Sequence, residues 1–552
     1  MYQYLDYFHI FLDNYVILRK DTPIFPSGGF AVTYRPAPQH QILLLPPSLE
    51  DLIAEKDLCR VVHAFVEALP RSSVEERFRH ASGAPAFHPR MMLKVLLYAC
   101  TQRLFSSRRI ARALERDVHF MWLAANLRPS HNTINRFRSD YLADVLPAAF
   151  AALAEMLLKQ KYIRQEEYFT DGTVMEANAN KHTYVWGKNT ERFKERVEER
   201  ACEILEEVER TDREEDALYG SGDLPEKGEQ SPIRASDIEA AARALAESDD
   251  ERKRKAARAL EKEAQNLRKY EDQEEKLAGR NSYSKTDPGA TFMYTKDGRL
   301  APAYNAQAGT QDGFITGVSV SQNPNDAVGF IAHLEARAAL DLPPPPAVVA
   351  DAIYGTEENY AHLESHGIES FLKYPAWHSE NTGEAKPYAK SAFTYEEAHD
   401  RFLCPQNHPL TFVEERTEKT PSGYEKTYRL YACSDCGDCP VRDLCVKGAG
   451  NRTLRHSPVL NRYQSETRER LKSERGVELR SRRSPEIETV FGHIKHNLGI
   501  RRFLLRGLRK VTTEWTWIAL GYNLTRLLGR LNASPAPWNA DQLFPPRALK
   551  VA

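Results

Sequence analysis

The spacing of apolar residues predicts helices through the first 160 residues of the chain. Helical periodicity covers residues 49–69, 89–104, 106–114 and 130–138. A short helix, a turn and a capped helix that carries asparagine and arginine side chains are typical of a helix-turn-helix, although capped helices with arginines also occur in proteins that bind no nucleic acid. We therefore predict that residues 30–160 form a helical domain that binds DNA.

Strand patterns replace helical ones from residue 167 onward. They cover residues 167–171, 292–295, 300–307, 314–320, 347–351 and 369–374. The run over residues 347–350 is apolar without interruption, as in a strand that is buried on both faces of a sheet. Helical patterns separate the later strands. This order predicts an α/β fold with a mixed sheet over residues 161–530.

Two polar segments interrupt that order and read as insertions. Residues 188–285 carry a charged helical pattern that breaks near 219–234, which predicts an exposed hairpin of two helices or an arm without chemistry. Residues 376–458 are polar and rich in cysteine. At the two ends, we assign no function to an extension over residues 1–29, and residues 531–552 form a proline-rich tail.

A helix predicted near residues 485–498 presents a carboxylate and an ammonium group beside an apolar stripe. The stripe consists of Ile487, Phe491, Ile494 and Leu498. Glu488 and Lys495 are seven residues apart, so two helical turns return them to nearly the same azimuth, about 10 Å apart. Glu488 can hold a metal ion there while Lys495 meets a polyanion; a solvated charged face is the alternative.

The net charge of −1 over 552 residues hides an uneven distribution. Residues 451–510 carry 16 Lys and Arg against 6 Asp and Glu, and Glu-rich sequence around residues 190–280 offsets that excess. Such asymmetry favours a local polyanion site over a uniformly basic protein that coats DNA. We find no apolar run of membrane-spanning length and no signal peptide, so we expect a cytoplasmic protein without a membrane partner.

Five of the eight cysteines lie close together in the sequence, at Cys404, Cys433, Cys436, Cys439 and Cys445. In a reducing cytoplasm such a cluster indicates a metal site rather than disulfides. Four thiolates close a tetrahedral Zn²⁺ site and leave one cysteine spare, while an iron–sulfur cluster and unliganded thiols are the alternatives. A bound ion would help to fold a segment that has little core of its own.

The carboxylates of Asp171, Asp351 and Glu488 are the most informative combination. Asp171 and Asp351 end predicted strands, and ligands bind where strands end at one edge of an α/β sheet. Three carboxylates there can hold two Mg²⁺ or Mn²⁺ ions about 3.5–4 Å apart, because hard divalent ions prefer oxygen ligands. Such ions promote the cutting of phosphodiester bonds. A single aspartate at a strand end, by contrast, is more often a turn or capping residue.

Three separated motifs resemble those of bacterial insertion-sequence DDE transposases. They are Phe169-Thr-Asp-Gly-Thr173 with Glu176-Ala-Asn-Ala-Asn-Lys181, Val349-Ala-Asp-Ala-Ile-Tyr-Gly355, and Ile487-Glu-Thr-Val-Phe-Gly-His-Ile-Lys495 with Arg502-Phe and Arg506-Gly. The resemblance extends to residues 43–52 and 88–92 and covers roughly residues 30–530. It implies an RNase H-like catalytic core behind a helical domain, with insertions after the first strand and before the last catalytic helix.

The resemblance also implies roles for individual residues. Asp171, Asp351 and Glu488 would be the catalytic ligands of two Mg²⁺ or Mn²⁺ ions. Lys495 matches the lysine of the signature Tyr-x2-Arg-x3-Glu-x6-Lys. The cysteine-rich segment resembles an insertion that is common in this group, which favours structural zinc.

The first half of that signature departs from the family pattern. The tyrosine and arginine positions hold Ser481 and Ser484, and the neighbouring Arg482 and Arg483 leave the identity of the arginine open. The basic residues expected to contact DNA phosphates are Lys495, Arg501, Arg502 and Arg506.

Three functions agree with these features. The favoured one is a transposase that binds the ends of its element, cuts phosphodiester bonds and joins the freed 3′-hydroxyl to target DNA. The others are a nuclease of the same fold without strand transfer, and a zinc-stabilised DNA-binding protein that has lost catalysis. A transposase implies double-stranded DNA as partner, both terminal repeats and target. It also implies a homodimer or larger assembly that holds two ends, and a location at the bacterial nucleoid.

Overall fold

The amino-terminal part of the chain folds into short helices around one long one. The structure, a computed structural model, describes residues 48–76, 86–219, 233–382, 387–535 and 537–544, so the extension over residues 1–29 and the start of the 43–52 motif lie outside the described residues. The first helices are α1 (Leu58–Ala68), α2 (Arg71–Val74), α3 (Pro89–Thr101), α4 (Ser107–Ala113), α5 (Val118–Leu123), α6 (His131–Arg136) and α7 (Leu142–Lys159).

Two of the helix predictions need correction. The helix predicted over residues 49–69 begins only at Leu58, because the side chain of Asp57 accepts a hydrogen bond from the backbone N–H of Cys59 and caps the helix there. A further helix, α5, lies between the two helices of the predicted helix-turn-helix. Ser130 caps α6 as expected, with its hydroxyl accepting from the N–H of Thr133.

One helical run is long and apolar enough to span a membrane, although the sequence pattern predicts no such segment. Among the described residues, the run His131–Lys159 is long and apolar enough, by length and composition, to cross a membrane. Helices that pack inside a folded protein pass the same test, and Leu146, Phe150 and Leu153 of this run are buried in the core. Its composition is therefore weak evidence for a membrane span.

A mixed sheet of six strands forms the centre of the molecule. The strands up to residue 372 are β1 (Glu167–Glu176), β2 (Tyr184–Trp186), β3 (Ser282–Ser284), β4 (Thr291–Tyr294), β5 (Leu300–Gln311), β6 (Phe314–Ser321), β7 (Ala347–Ala350) and β8 (Glu369–Leu372). The main order is β4–β5–β1–β7–β8, with β6 also paired to β5, while β2 and β3 form a separate pair. β1 runs antiparallel to β5 and parallel to β7. This mixed α/β arrangement fits an RNase H-like domain.

β1 is longer than its sequence pattern predicts. The strand predicted to end at Asp171 continues to Glu176, because its second half pairs with residues 303–308 of β5. Asp171 therefore lies in the middle of a strand. Asp351 does follow directly after β7, as predicted.

Two further sets of helices follow the amino-terminal ones: those of the charged segment over residues 188–285, and those between the later strands of the sheet. That segment folds into three helices rather than two, α8 (Gly187–Tyr219), α9 (Ala235–Ala246) and α10 (Glu251–Leu277), which share a small apolar core of their own. The next helices are α11 (Asp326–Ala338), α12 (Glu357–Ser365) and α13 (Trp377–Thr382).

The cysteine-rich segment forms a second sheet. Its strands are β9 (Thr394–Glu396), β10 (Arg401–Leu403), β11 (Pro409–Lys419), β12 (Glu425–Cys433) and β13 (Thr453–His456), with the short helix α14 (Arg442–Cys445). The remaining helices are α15 (Pro458–Lys472), α16 (Glu474–Arg483), α17 (Thr489–Gly492), α18 (Leu508–Ala533) and α19 (Ala540–Leu543).

Helix α18 joins the sheet to the amino-terminal helices. Trp515 and Trp517 are both fully buried. The indole N–H of Trp515 donates to the carbonyl oxygen of Gln307 in β5 at 2.8 Å, and that of Trp517 donates to the carbonyl oxygen of Leu96 in α3 at 2.9 Å. One apolar core consequently extends from α1 through α18 to the sheet.

Candidate active site

The three predicted carboxylates converge on one guanidinium group. Nη2 of Arg483 lies 3.0 Å from Oδ2 of Asp171 and 3.6 Å from Oδ2 of Asp351, and Nη1 lies 3.2 Å from Oε1 of Glu488. Arg483 is itself buried. Residues from three distant parts of the sequence thus form one acidic site around a cation.

The parallel pairing of β1 and β7 brings the two aspartates together. Phe169 is opposite Val349, so Asp171 and Asp351 both lie two residues beyond the same rung. The Asp171 carboxylate accepts a hydrogen bond from the N–H of Gly172, and that of Asp351 accepts one from the N–H of Ala352. These local bonds help to hold the two side chains near each other, where both approach the same nitrogen of Arg483.

A π-helical turn over Ser484–Glu488 brings the third carboxylate to the site. In such a turn residues five apart lie on the same side, whereas an α-helix aligns residues four apart. Arg483 and Glu488 are five apart and form an ion pair. Pro485, which has no N–H to donate, lies within the turn. The Ser484 hydroxyl also donates to Glu488 Oε2 at 2.8 Å, so the carboxylate is held from two sides.

The structure separates the two neighbouring arginines of the motif. Arg483 contacts the three carboxylates, while Arg482 pairs with Glu167 at 3.2 Å, away from them. Burial raises the pKa of Asp171 to about 6, the Arg483 guanidinium and the Gly172 N–H oppose that rise, and Asp326 and Asp351 add to it. The pKa of Asp171 is therefore set mainly by two opposing effects, burial of the carboxyl group and the positive charge of Arg483.

Asp326 is a fourth carboxylate beside the site, and sequence reasoning missed it. It lies in the first turn of α11 and accepts hydrogen bonds from the side-chain amides of Asn305 and Gln307. A Cβ atom on Gly172 would lie only 2.2 Å from its Oδ1. In the sequence Asp326 looks like an ordinary acidic residue at a helix start, so no local signal marks it.

Lys495 is half-buried against β1. Its Nζ donates to Thr173 Oγ1 at 2.6 Å and to the carbonyl oxygen of Val174 at 3.0 Å. Its pKa is lowered to about 8, mainly by burial and to a smaller extent by repulsion from Lys296 and Arg501. Lys495 therefore contacts the strand that carries Asp171, at Thr173, which is two residues further along that strand.

The arginines after Lys495 make different contacts. Arg502 donates to the carbonyl oxygen of Ala177 at 3.0 Å, and Arg506 donates to that of Asn178 at 2.7 Å, so both hold the loop after β1. Arg501 is exposed and reaches the carbonyl oxygen of Lys495 at 3.5 Å. Of the three, Arg501 is the least engaged with the protein.

The five clustered cysteines line one small cavity of about 20 Å³ together with His408. All of them are free thiols. The backbone N–H groups of Gln406 and His408 donate to the sulfur of Cys404 at 3.3 Å and 3.2 Å, and that of Arg452 donates to the sulfur of Cys436 at 3.5 Å. The fold thus gathers the thiols but does not set them as ligands.

Neither cluster has the arrangement of a formed metal site. Within the ranges that the structure describes, no group of three or more His, Cys, Asp or Glu side chains is placed to hold a metal ion. The predicted zinc site therefore gains no support from the geometry. At the acidic site the donor set itself suits a hard divalent cation, since it consists of carboxylate oxygens gathered around one positive charge.

Two models of known protein families match parts of the chain. A family model described as Transposase DDE domain matches residues 403–528, and one described as Transposase domain (DUF772) matches residues 47–140. No curated protein matches the chain. The first match includes Glu488 and Lys495, while Asp171 and Asp351 lie outside both. Enzymes with such a domain act on DNA and use divalent metal ions. Together these two matches indicate an insertion-sequence DDE transposase, an enzyme that acts as a polynucleotidyl transferase and nuclease.

Proposed function

We propose that this transposase binds the ends of its element, cuts the phosphodiester bonds there and transfers the 3′-hydroxyl to target DNA. The observation that carries the proposal is the convergence of Asp171, Asp351 and Glu488 on Arg483, with distances of 3.0–3.6 Å. Carboxylates that gather around one cation can hold divalent metal ions, and such ions stabilise the negative charge that develops on phosphate oxygens.

The three carboxylates are the proposed holders of two Mg²⁺ or Mn²⁺ ions. When bound, such ions supply activation of the attacking oxygen and stabilisation of the leaving oxygen. The protein's own contribution is positional. Arg483 and Ser484 fix Glu488, and backbone N–H groups fix Asp171 and Asp351. The carboxylates are thus preorganised before DNA binds.

Double-stranded DNA is the proposed partner, contacted at two surfaces. Near the acidic site, Lys495 and Arg501 present positive charge, and Arg502 and Arg506 shape the loop beside them. In the helical domain, exposed arginines form no ion pair within the described residues; they are Arg108, Arg109, Arg112, Arg116, Arg128 and Arg136. Lone arginines on α4 and α6 suit contact with phosphates, and that binding would weaken with salt.

The assembly and location follow from the same activity. An enzyme that joins two element ends to one target needs both ends at once, so we propose a homodimer or larger assembly. Its substrate places it at the nucleoid in the cytoplasm. The segments 188–285 and 376–458 are proposed insertions into an RNase H-like core, since each forms elements outside the main sheet.

A structural zinc ion is proposed for the second insertion, held by four of the five clustered cysteines. The support is chemical. N–H groups that donate to two of the sulfurs would stabilise thiolates, which are the form that binds zinc. The small core of this segment also leaves it dependent on a further source of stability.

The test is cleavage and joining of end DNA in vitro. A duplex that carries one element end is incubated with Mg²⁺ and either the wild-type protein or the Asp351→Asn variant. We expect the variant to bind the duplex and to leave it uncut. Joined products with the wild type support strand transfer, whereas cut but never joined DNA indicates a nuclease. Undiminished cutting by Asp351→Asn would overturn the assignment of the site.

A further inference from the structure

The hairpin between β4 and β5 ends in an exposed aromatic ring and two cations. Its tip consists of Thr295, Lys296, Asp297, Gly298 and Arg299, and Tyr294 and Leu300 form the last strand pair. We propose that this hairpin, residues 291–303, enters the major groove of the DNA being cut. In that groove the side chains of Tyr294 and Leu300 meet base edges and the cations of the tip meet phosphates. The proposal rests on the proposed function and extends it to a DNA-reading element.

The strand register places the hairpin on the catalytic face of the sheet. Asp171 is opposite Ala308, and directly opposed residues of antiparallel strands point to the same face. Side chains alternate along a strand, so Leu300, eight residues before Ala308, points to that face as well. Tyr294 is opposite Leu300 and shares it. DNA held at the acidic site therefore extends over the face from which these two side chains project.

The exposure of the two apolar side chains is unusual for their strands. Tyr294 is 73% exposed and Leu300 is 41% exposed, whereas their neighbours Phe292 and Ala301 are buried. Tyr294 makes no ring contact within the described part of the chain. An exposed apolar pair at the end of a rigid ribbon is a surface for a partner rather than for the protein's own core.

The charges around the hairpin complement a polyanion. The cations are Lys181, Lys296, Arg299, Lys495 and Arg501, against two carboxylates, Glu176 and Asp297. Glu176 already binds Arg299 at 3.2 Å and Lys181 at 3.5 Å. The excess of positive charge continues from Lys495 at the acidic site to the hairpin tip. This charge pattern favours DNA over a protein partner or a second copy of the chain.

The tip is held in one conformation. The N–H of Thr295 donates to the carbonyl oxygen of Arg299 at 2.9 Å, and the N–H of Gly298 donates to that of Thr295 at 2.9 Å. Gly298 has a φ of 75°, a conformation that glycine adopts without strain. A preformed turn loses little conformational freedom on binding. A two-stranded ribbon of this kind fits the width of the major groove.

The length of β5 limits the distance along the DNA between the bond that is cut and the bases that Tyr294 and Leu300 contact. Eight residues separate Ala308 from Leu300, which is at most about 27 Å along an extended strand. Duplex DNA rises about 3.4 Å per base pair. The contact therefore falls within about 8 base pairs of the bond that is cut.

The experiment compares variants of the full chain on a duplex that carries one element end. We expect Tyr294→Ala to weaken binding about 5- to 100-fold, as the loss of a base-edge contact in the major groove does, and Tyr294→Phe to bind like the wild type. Lys296→Ala should reduce the slope of log affinity against log salt by about one. Arg258→Ala, an exposed cation on α10, is the matched control and should change neither quantity.

Protection of guanine N7 from dimethyl sulfate locates the contact. The wild type should protect guanines within about 8 base pairs of the cut bond, and Tyr294→Ala should lose protection there and keep it elsewhere. The proposal would be overturned if Tyr294→Ala bound the duplex and protected its guanines as the wild type does. It would also be overturned if Tyr294→Ala changed only the self-association of the protein, as measured by light scattering. Failure of the proposed function would give a different result. In that case Asp351→Asn would still cut the duplex, while the wild type would still protect guanines near the hairpin.

Discussion

Arg483 and Glu488 lie five residues apart, yet their side chains form an ion pair of 3.2 Å, because the intervening turn is π-helical. The family signature places its arginine four residues before the glutamate, where this chain has Ser484. The extra residue of the π-turn compensates for that shift in spacing. The π-turn thus brings Arg483 to Glu488 across five residues, as an α-helix would bring an arginine across four.

Arg483→Ala should make the stability of the protein depend on Mg²⁺. Without the guanidinium, Asp171, Asp351 and Glu488 repel one another, and a divalent cation relieves that repulsion. We expect a lower melting temperature than in the wild type and a larger gain on addition of Mg²⁺. Arg482→Ala is the control. Because Arg482 pairs with Glu167 and not with the three carboxylates, this variant should show the same Mg²⁺ response as the wild type. An equal Mg²⁺ response in all three proteins would contradict the metal assignment.

Gly172→Ala should impair cleavage by at least about tenfold. The new Cβ would lie 2.2 Å from Asp326 Oδ1 and 2.3 Å from Gln307 Nε2, so the groups beside Asp171 must shift. Displacements of about 1 Å near reacting groups cost about 100-fold. Gly492→Ala is the control, because nothing lies within 4 Å of its added Cβ. Single-turnover cleavage with saturating protein measures the effect, and full activity of Gly172→Ala would show that this packing does not matter.

DNA affinity should fall as the pH rises through about 8. The pKa of Lys495 is lowered to about 8 by burial, so in the free protein its ammonium loses a proton above that pH, and binding to phosphate must restore it. The expected loss is up to about tenfold per pH unit above 8. Lys495→Arg should flatten the profile because arginine stays protonated. Fluorescence anisotropy from pH 7 to 9.5 checks this, and identical profiles would rule out Lys495 as the titrating group.

Zinc should copurify with the chain and depend on the clustered cysteines. We expect about one zinc ion per chain by metal analysis, lost in Cys436→Ser together with a lower melting temperature. Cys202→Ser, which changes a cysteine of helix α8 outside the cluster, should keep the metal. A wild-type protein that is folded, active and free of zinc and iron would show that the thiols are unliganded.

Gly309→Ala and Gly529→Ala should change stability in opposite directions. A Cβ on Gly309 would lie 1.9 Å from the ring of the buried Tyr168, and such overpacking costs about 1–3 kcal/mol or more. Gly529 lies in helix α18 with nothing within 4 Å of an added Cβ, so alanine there should stabilise by up to about 1 kcal/mol. Urea unfolding measures both, and equal midpoints would contradict the packing at Tyr168.

The convergence of the three carboxylates could be predicted from the sequence because the combination of their motifs, rather than any one residue, resembles a known family. Asp351 follows an unbroken apolar strand, and the stripe that flanks Glu488 is buried as predicted. The local pattern of β1 predicts a strand end at Asp171, whereas the strand continues because it pairs with β5, more than 120 residues away in the sequence. Periodicity carries no information about such a partner.

Other parts of the site depend on tertiary contacts that no local pattern encodes. The π-turn rotates Arg483 onto the carboxylates, whereas ideal helical spacing left the choice between Arg482 and Arg483 open. Asp326 reaches the site only because α11 packs across β5 and β6. The basic side chains of Arg502 and Arg506 look free in the sequence, but in the fold they hold the loop after β1.

The position of helix α18 bears on how the polypeptide folds during synthesis. Trp517 completes the core around α3, and Trp515 completes the core of the sheet, yet both are made after more than nine-tenths of the chain. The amino-terminal helices therefore emerge from the ribosome long before the residue that closes their interior. A chain that stops before residue 508 would lack both tryptophans, and its apolar core would stay incomplete at α3 and at the sheet.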